Sequence, residues 1–531
     1  MDKFDYIVVG GGSSGCVMAS RLSENSSNKV LLIESGANDS SPWIKIPATF
    51  FRVVEKGDDV HMYEGDASAD LNDRPSFVLQ GNVIGGGSSV NAMLYVRGQA
   101  QDYDDWEAAG NSGWSYADVL PVFKEIENNM EFADEYHGNA GELRVSETGY
   151  HHPLSRAFIR GAQQTGIPYN PDFNGKEQTG IGFYQTTTYN GKRHSAADAF
   201  LRKAEGRPNL EIRTKTRVAG INFEGNKAVG VTLEDGTKIT AGKEVVLCAG
   251  AIETPRLLQL SGIGDAAHLQ QHGIEVVSDL PGVGENYQDH LEANIQCYAK
   301  EPVSFYQQDK GFKAAMHMMQ YQLFKTGVLT SNVVECGGFI DVSGAGRPDI
   351  QFHVLPFMVG WVDRAPIEQH GISVNPCFLR PKSRGSVKLK SANPQDAALF
   401  DAGSFSDPED LEVLLRGTKK AIEIFRTPAM REVMGDFAIP TMSEVDDDDA
   451  LRNIIRQTAK TVFHPVGTAK MGPDSDPMAV VDAELRVKGV TGLRVADASV
   501  MPNLVSGNTN APTMMIAERA ARFMTGKDKL L

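Results

Sequence analysis

A chain of 531 residues, 41% of them hydrophobic, is longer than one compact core organises, so two intimately joined domains are expected. Its formal net charge of -16 argues against a surface that tracks nucleic-acid phosphates or a strongly anionic membrane. Five cysteines (Cys16, Cys248, Cys297, Cys336, Cys377) stand without a CxxC pair, which fits neither a zinc site nor a disulfide framework. They read as buried thiols of a protein in a reducing, cytoplasmic compartment.

The opening MDKFDYIVVGGG runs into an apolar strand without the flanks of a leader peptide, and no stretch approaches the roughly 18 apolar residues of a membrane span. It predicts a β-α-β unit: a strand over 6–9, a glycine turn, a helix over 14–22 and a strand over 30–34. Gly10, Gly12 and Gly15 fall in GxGxxG spacing between strand and helix, where glycine permits close approach of backbone to a pyrophosphate. Glu34 ends the next strand, where a carboxylate accepts hydrogen bonds from ribose hydroxyls. The motif points to a dinucleotide but does not separate FAD from NAD, and a turn that merely permits tight packing is the bland alternative.

Farther along, residues 81–98 read GNVIGGGSSVNAMLYVRG, with small residues throughout 86–89. Such a run lets backbone amides approach a second large, flat or anionic group, and its apolar surroundings are wrong for a loop open to water. Residues 244–248 and 492–496 also look like strands, which makes the cofactor domain discontinuous. Between 296 and 454 the runs VVECGGFIDV, DIQFHVLPFMV, GISVNPCFL and GSVKLK predict an antiparallel sheet, one face of which roofs a pocket. A helix over 410–425 follows, and the acidic run at 446–449 reads as a solvated loop or helix start. The expected division assigns 1–155, 206–295 and 455–531 to a Rossmann-like α/β cofactor domain, and 156–205 and 296–454 to an antiparallel-sheet substrate domain.

Polar residues near the C-terminus suit proton-coupled chemistry. His464, stiffened by Pro465, is a candidate base, although a lone His-Pro is more often a structural histidine. Asn508 and Asn510, just before a predicted helix, each have donor and acceptor to steady an oxygen, with turn or capping duty as the alternative for either.

The glycine motif, residues 81–98, GAIETPRLLQLSGIG at 250–264, HPVGTAKMG at 464–472 and SGNTNAPTMMIAERAA at 506–521 together resemble the glucose-methanol-choline (GMC) oxidoreductases. LTSNVVECGGF at 329–339 and RPKSRGSVKLKSANP at 380–394 resemble its choline-dehydrogenase-like branch, which includes medium-chain alcohol dehydrogenases and furfuryl-alcohol oxidases. The resemblance implies FAD, with Gly10, Gly12, Ser13, Ser14 and Gly15 at the pyrophosphate and Glu34 at the adenosine ribose. Gly86, Gly87 and Ser88 are implied near the phosphates and ribityl chain, Asn91, Ala92 and Met93 along the isoalloxazine, and Val218 at adenine. Asp497 and Ala498 belong to the ribityl side, and Asn508, Thr509 and Pro512 to the backbone around the flavin.

Some relatives carry a flavin-linked histidine before that asparagine; Val90 stands there, so FAD is expected to be non-covalent. Asn82 replaces a more usual cationic residue. His464 becomes the base and Asn508 its partner in oxidising a primary alcohol to the aldehyde, with dioxygen or a quinone-type carrier reoxidising the flavin. Phe463, Glu335, Phe357, Met358, Val359 and Trp361 are the candidate pocket residues, suiting an aryl, furfuryl or medium-chain alcohol. Glu335 alternatively suits a cationic head group such as that of choline. A non-redox hydroxynitrile lyase and a flavin-binding sensor are further readings, and a light-driven fatty-acid decarboxylase is one for which the sequence offers no positive sign.

Overall fold

The computed structural model describes residues 3–360 and 363–528. Two sheets organise it. The first runs Leu210–Arg213, Val30–Ile33, Lys3–Val9, Lys238–Leu247, Lys227–Leu233 and Val218–Glu224, with Leu493–Val495 also paired to Lys238–Leu247. The four strands from Leu210–Arg213 to Lys238–Leu247 are mutually parallel, as is Leu493–Val495 to its neighbour. VLLI at Val30–Ile33 is buried at every position, the pattern of a strand covered on both faces. Helices Ser13–Leu22 and Asn510–Thr525 pack on each other beside this sheet and supply much of its core. Val9, Ile33, Leu247 and Val495 end side by side, so the strands open one crevice at their carboxyl ends.

The second sheet is antiparallel: Met434–Ile439, Ile295–Ala299, Gly371–Phe378, Ile350–Leu355, Cys336–Ile340 and Gly180–Phe183. Helix Pro408–Phe425 lays Leu411, Leu414 and Ile422 into its core. Of the four runs expected here, GSVKLK is corrected: Ser386–Lys388 pairs with Leu399–Asp401 in a separate ribbon. The reason is that its one inward side chain, Val387, packs with Tyr63, Val78 and Phe400 instead of the main sheet. In the acidic run, Asp447 caps helix Asp448–Thr458 by accepting from the N–H groups of Asp449 and Ala450.

The chain crosses between the sheets several times, and two crossings run side by side. Leu291–Glu292 pairs antiparallel with Lys460–Thr461 inside the second sheet, and Gln288 bridges Val466. Residues 291–292 and 460–461 thus belong to the second sheet. All five cysteines are free and buried. Among the described residues no His/Cys/Asp/Glu group is arranged to hold a metal ion, and no helix is long and apolar enough to cross a membrane.

Candidate active site

A cavity of about 610 Å³ lies between the carboxyl ends of the first sheet and the inner face of the second. Its floor follows from the glycine turn. Gly10 has φ +102, and a Cβ there would stand 2.4 Å from the Cys248 carbonyl oxygen. At Gly15 a Cβ would meet the Gly10 oxygen at 1.8 Å, so this glycine serves helix-on-strand packing and does not line the cavity. Gly12 differs: a Cβ there would find no protein atom nearer than 3.8 Å, and the residue faces the cavity.

Helix Ser13–Leu22 begins at Gly12 with no side-chain cap and no acidic residue in its first turn. Its first amides are left for an anion, which the helix dipole favours. Helix Asn510–Thr525 starts beside it, also without a side-chain cap, and Asn510 Oδ1 accepts from Ser13 Oγ at 2.8 Å. Glu34 borders the cavity, anchored by the N–H groups of Gly11 and Gly36 at 2.7 Å each; burial raises its pKa. Uncapped helix starts, a carboxylate at the end of the second strand and a glycine cradle fit the pyrophosphate and ribose of a dinucleotide.

Gly86, Gly87, Asn91, Ala92 and Met93 border the next part of the cavity. Asn91 is clamped by Arg193, a buried guanidinium that donates to Asn91 Oδ1 at 2.7 Å, to its carbonyl at 2.7 Å and to the Ser88 carbonyl at 3.0 Å. Burial lowers the Arg193 pKa to about 9. Ser88 is turned inward, its hydroxyl donating to the Gly85 carbonyl and accepting from Ala196 N–H. Asp497 borders the cavity while accepting from Gly250 N–H, Thr254 Oγ1 and Ser499 N–H, which ties the last strand of the first sheet to helix Gly250–Leu260. Ser13, Ser14, Val218, Ala498 and Thr509 line it too; Pro512 is buried in the helix behind.

At the other end the two side-by-side crossings bring histidines together. His464 Nδ1 lies 2.9 Å from His290 Nδ1, and His290 Nε2 lies 3.0 Å from the Leu379 carbonyl. A carbonyl only accepts, so His290 carries its proton on Nε2 and offers a lone pair at Nδ1. His464 must then carry its proton on Nδ1, leaving Nε2 as a bare acceptor facing Asn508 Nδ2 at 3.3 Å. The Asn508 amide is oriented in turn, because its Oδ1 accepts from Gln351 Nε2 at 3.1 Å. Burial, then repulsion from His290 and His353, holds the His464 pKa well below the usual histidine value, and burial brings that of His290 to about 3. Both rings are neutral at physiological pH.

Asp289 holds the backbone beside the base. Its carboxylate accepts from the His464 backbone N–H at 2.8 Å and from Tyr287 Oη at 3.0 Å, and burial raises its pKa to about 6. It fixes the segment, not the ring. Phe463, next to the base, has φ +66 and lines the cavity, a strained conformation held partly by its N–H donating to Thr461 Oγ1.

From the roof come Leu355, Val359, His353, Asn375, Glu292 and Lys460. Glu292 sits 2.5 Å from Lys460 and 2.9 Å from His353; burial opposes its charge, but these partners bring its pKa down to about 2. His353 Nε2 and Asn375 Oδ1 are buried without protein partners at this wall. Glu335, Phe357 and Met358, expected in the pocket, do not line it. Glu335, just before strand Cys336–Ile340, instead accepts from His152 N–H and from the hydroxyls of Ser155 and Ser331, while its neighbour Val334 lines the cavity; burial raises its pKa to about 7. Phe357 stands behind Phe51, edge to face at 5.2 Å, and Met358 is buried against Gly371. Trp361 lies outside the described residues.

His290, Gln351, His353, Glu292, Lys460 and Arg193 were not singled out in the sequence. The QDHLE run at 288–292 was the available signal: a histidine and two carboxylates within five residues at the boundary between domains.

A cradle for a flavin dinucleotide facing a neutral imidazole and an oriented amide defines a class: an FAD-dependent oxidoreductase acting on CH–OH donors. The chain belongs to the GMC oxidoreductase family, whose models match residues 4–292 and 381–517. It is 42% identical over 535 residues to an alcohol dehydrogenase [acceptor] of Pseudomonas putida, covering 99% of this chain and 96% of the relative. An oxygen-dependent choline dehydrogenase of Brucella suis is 40% identical over 530 residues, at the same coverage of 99% and 96%. The crystal structure of pyridoxine 4-oxidase from Mesorbium loti superposes with a TM-score of 0.89 at 31% identity, covering 99% of this chain and 100% of that one.

Proposed function

We propose that the protein oxidises a primary alcohol, of aryl, furfuryl or medium-chain type, to its aldehyde, with His464 as base and Asn508 as oxygen-binding partner. Bound FAD supplies the acceptor for the hydride. The observation that carries the reading is the single available proton assignment of the His290–His464 pair, which leaves Nε2 unprotonated beside the Asn508 amide. An alcohol placed there donates its O–H to Nε2 and accepts from Asn508 Nδ2. As the C–H bond breaks, Nε2 takes the hydroxyl proton, and the amide steadies the oxygen while its charge changes.

An apolar alcohol is favoured by the side chains nearest the base and along one wall: Phe51, Leu355, Val359 and Phe463 line the cavity, and the carboxylate that the roof sheet brings to it, Glu292, is already engaged by Lys460. Among the described residues Glu292 is the one carboxylate that sheet brings to the cavity, and its engagement by Lys460 and His353 leaves none there for a trimethylammonium head, which sets choline second. Val90, which lines the cavity and carries no nucleophile, supports non-covalent FAD. Electrons then pass to dioxygen or a quinone-type carrier.

Anaerobic mixing with an alcohol panel tests the proposal: flavin absorbance bleaches with aryl or medium-chain alcohols, and His464→Ala retains FAD but reduces it about 10²- to 10⁴-fold more slowly. Failure of every alcohol to bleach the flavin, or an unimpaired His464→Ala, overturns it. Hydrogen peroxide release read against dye reduction separates the two acceptors.

A further inference from the structure

Helix Gly311–Phe324 is unlike the others. Of its 14 residues one, Tyr321, is buried. Helices in proteins draw most of their stability from packing an apolar face, yet here Phe312 is 84% exposed, Leu323 67%, Met319 60% and Met316 43%. At about 100° per residue, positions 312, 316, 319 and 323 fall within roughly 60° of arc, opposite Tyr321. Phe324, at the helix end and off this stripe, is 70% exposed as well. Five of the twelve large apolar side chains exposed across the described residues thus sit on one helix.

The charge here also departs from the chain's average. Residues 310–334 contain Lys310, Lys313 and Lys325 and no acidic residue, a formal +3 in a chain of -16. Asp309, just before, is engaged by Arg52 at 3.4 Å. Chain-wide acidity, which argues against an anionic surface, averages over this local excess; at physiological salt charges beyond about 8 Å are largely screened, so the face presented decides.

We propose that this helix docks the protein on a lipid bilayer surface, lying in the interface with Phe312, Met316, Met319 and Leu323 among the acyl chains and Lys310 and Lys313 at lipid phosphates; Lys325 lies over the Tyr321 ring on the opposite face. A second copy of the chain fits less well. The stripe offers on the order of 500 Å², short of the about 800 Å² per partner of a stable interface, and pairing would bring two sets of lysines together. The helix also adjoins the cavity wall: Arg52 belongs to helix Phe50–Lys56, whose Phe50 and Phe51 line the cavity, and Val328–Thr330, just after, packs on Pro47–Thr49. Docking there holds the cavity next to a reservoir of apolar alcohols.

The test is sedimentation of the FAD-loaded protein with vesicles of phosphatidylcholine alone and of phosphatidylcholine mixed with phosphatidylglycerol, a readout independent of turnover. The protein is expected to pellet with the mixed vesicles, and the triple variant Phe312→Ser, Met319→Ser, Leu323→Ser to bind at least about tenfold less with unchanged flavin absorbance and unchanged activity on a water-soluble alcohol. Lys310→Gln with Lys313→Gln should weaken binding to the mixed vesicles selectively. Wild type remaining in the supernatant with both vesicles, or the serine variant binding equally, overturns the proposal. So does a vesicle-free dimer in ultracentrifugation that the serine variant abolishes, which assigns the stripe to a second copy.

Discussion

At the scale of single residues, the chemistry rests on where one proton sits. His290 touches the base, not the expected substrate position, and acts by accepting the His464 Nδ1 proton. His290→Phe removes that acceptor, leaves a buried N–H unpaired and frees the ring to take its other tautomer. Flavin reduction should slow by about 10- to 100-fold with FAD retained, and nitrogen NMR of histidine-labelled protein should show His464 Nε2 changing from a purely unprotonated to a mixed signal. The depressed pKa of His464 sets the pH dependence. The neutral ring is the active form, so the rate of flavin reduction should stay level as pH falls through 6.5 and decline only in more acid solution; a midpoint at or above 6.5 would contradict the burial argument. Glu335 gives a contrasting expectation. Glu335→Gln should cost about 1–3 kcal/mol of stability through its three hydrogen bonds and leave KM for alcohols unchanged, whereas a head-group site would raise it for choline.

Among elements, the glycine turn separates two jobs that look identical in sequence. Gly15→Ala forces a Cβ into the Gly10 carbonyl and should abolish soluble expression, whereas Gly12→Ala has room in the protein itself and should fold yet lose FAD. Purification as a colourless protein with native far-ultraviolet circular dichroism checks the second. The turn was legible because local sterics write it into three residues. His464 and Asn508 stand in motifs visible in the chain, and their side chains lie 3.3 Å apart in the fold. His290 and Gln351 were not legible, because each acts through a pairing between distant segments: residues 288–292 against 460–466, and Gln351 Nε2 reaching Asn508 across 157 positions. The direction of Glu335 is set likewise by distant partners, the His152 N–H and the Ser155 hydroxyl, which the local sequence does not show.

For the molecule as a whole, the discontinuous division into two sheets was legible from patterns of period two and from strand-like runs far apart. The points of crossing were not, since strands of two residues such as Lys460–Thr461 carry no periodicity. Because the chain passes repeatedly between the sheets, neither is a contiguous unit that peels away at one end. Thermal unfolding of the FAD-loaded protein should therefore show one transition by circular dichroism coincident with release of flavin fluorescence, and excess FAD should raise its midpoint by mass action.

The five sulfur atoms bear on endurance. Every thiol is enclosed, and burial pushes each up, Cys297 to about 12 and the others further. Thiolate is the form that adds to carbonyl compounds and is oxidised by peroxides. A catalyst that makes reactive carbonyls thus keeps its own softest nucleophiles protonated, including Cys248, which borders the cavity itself.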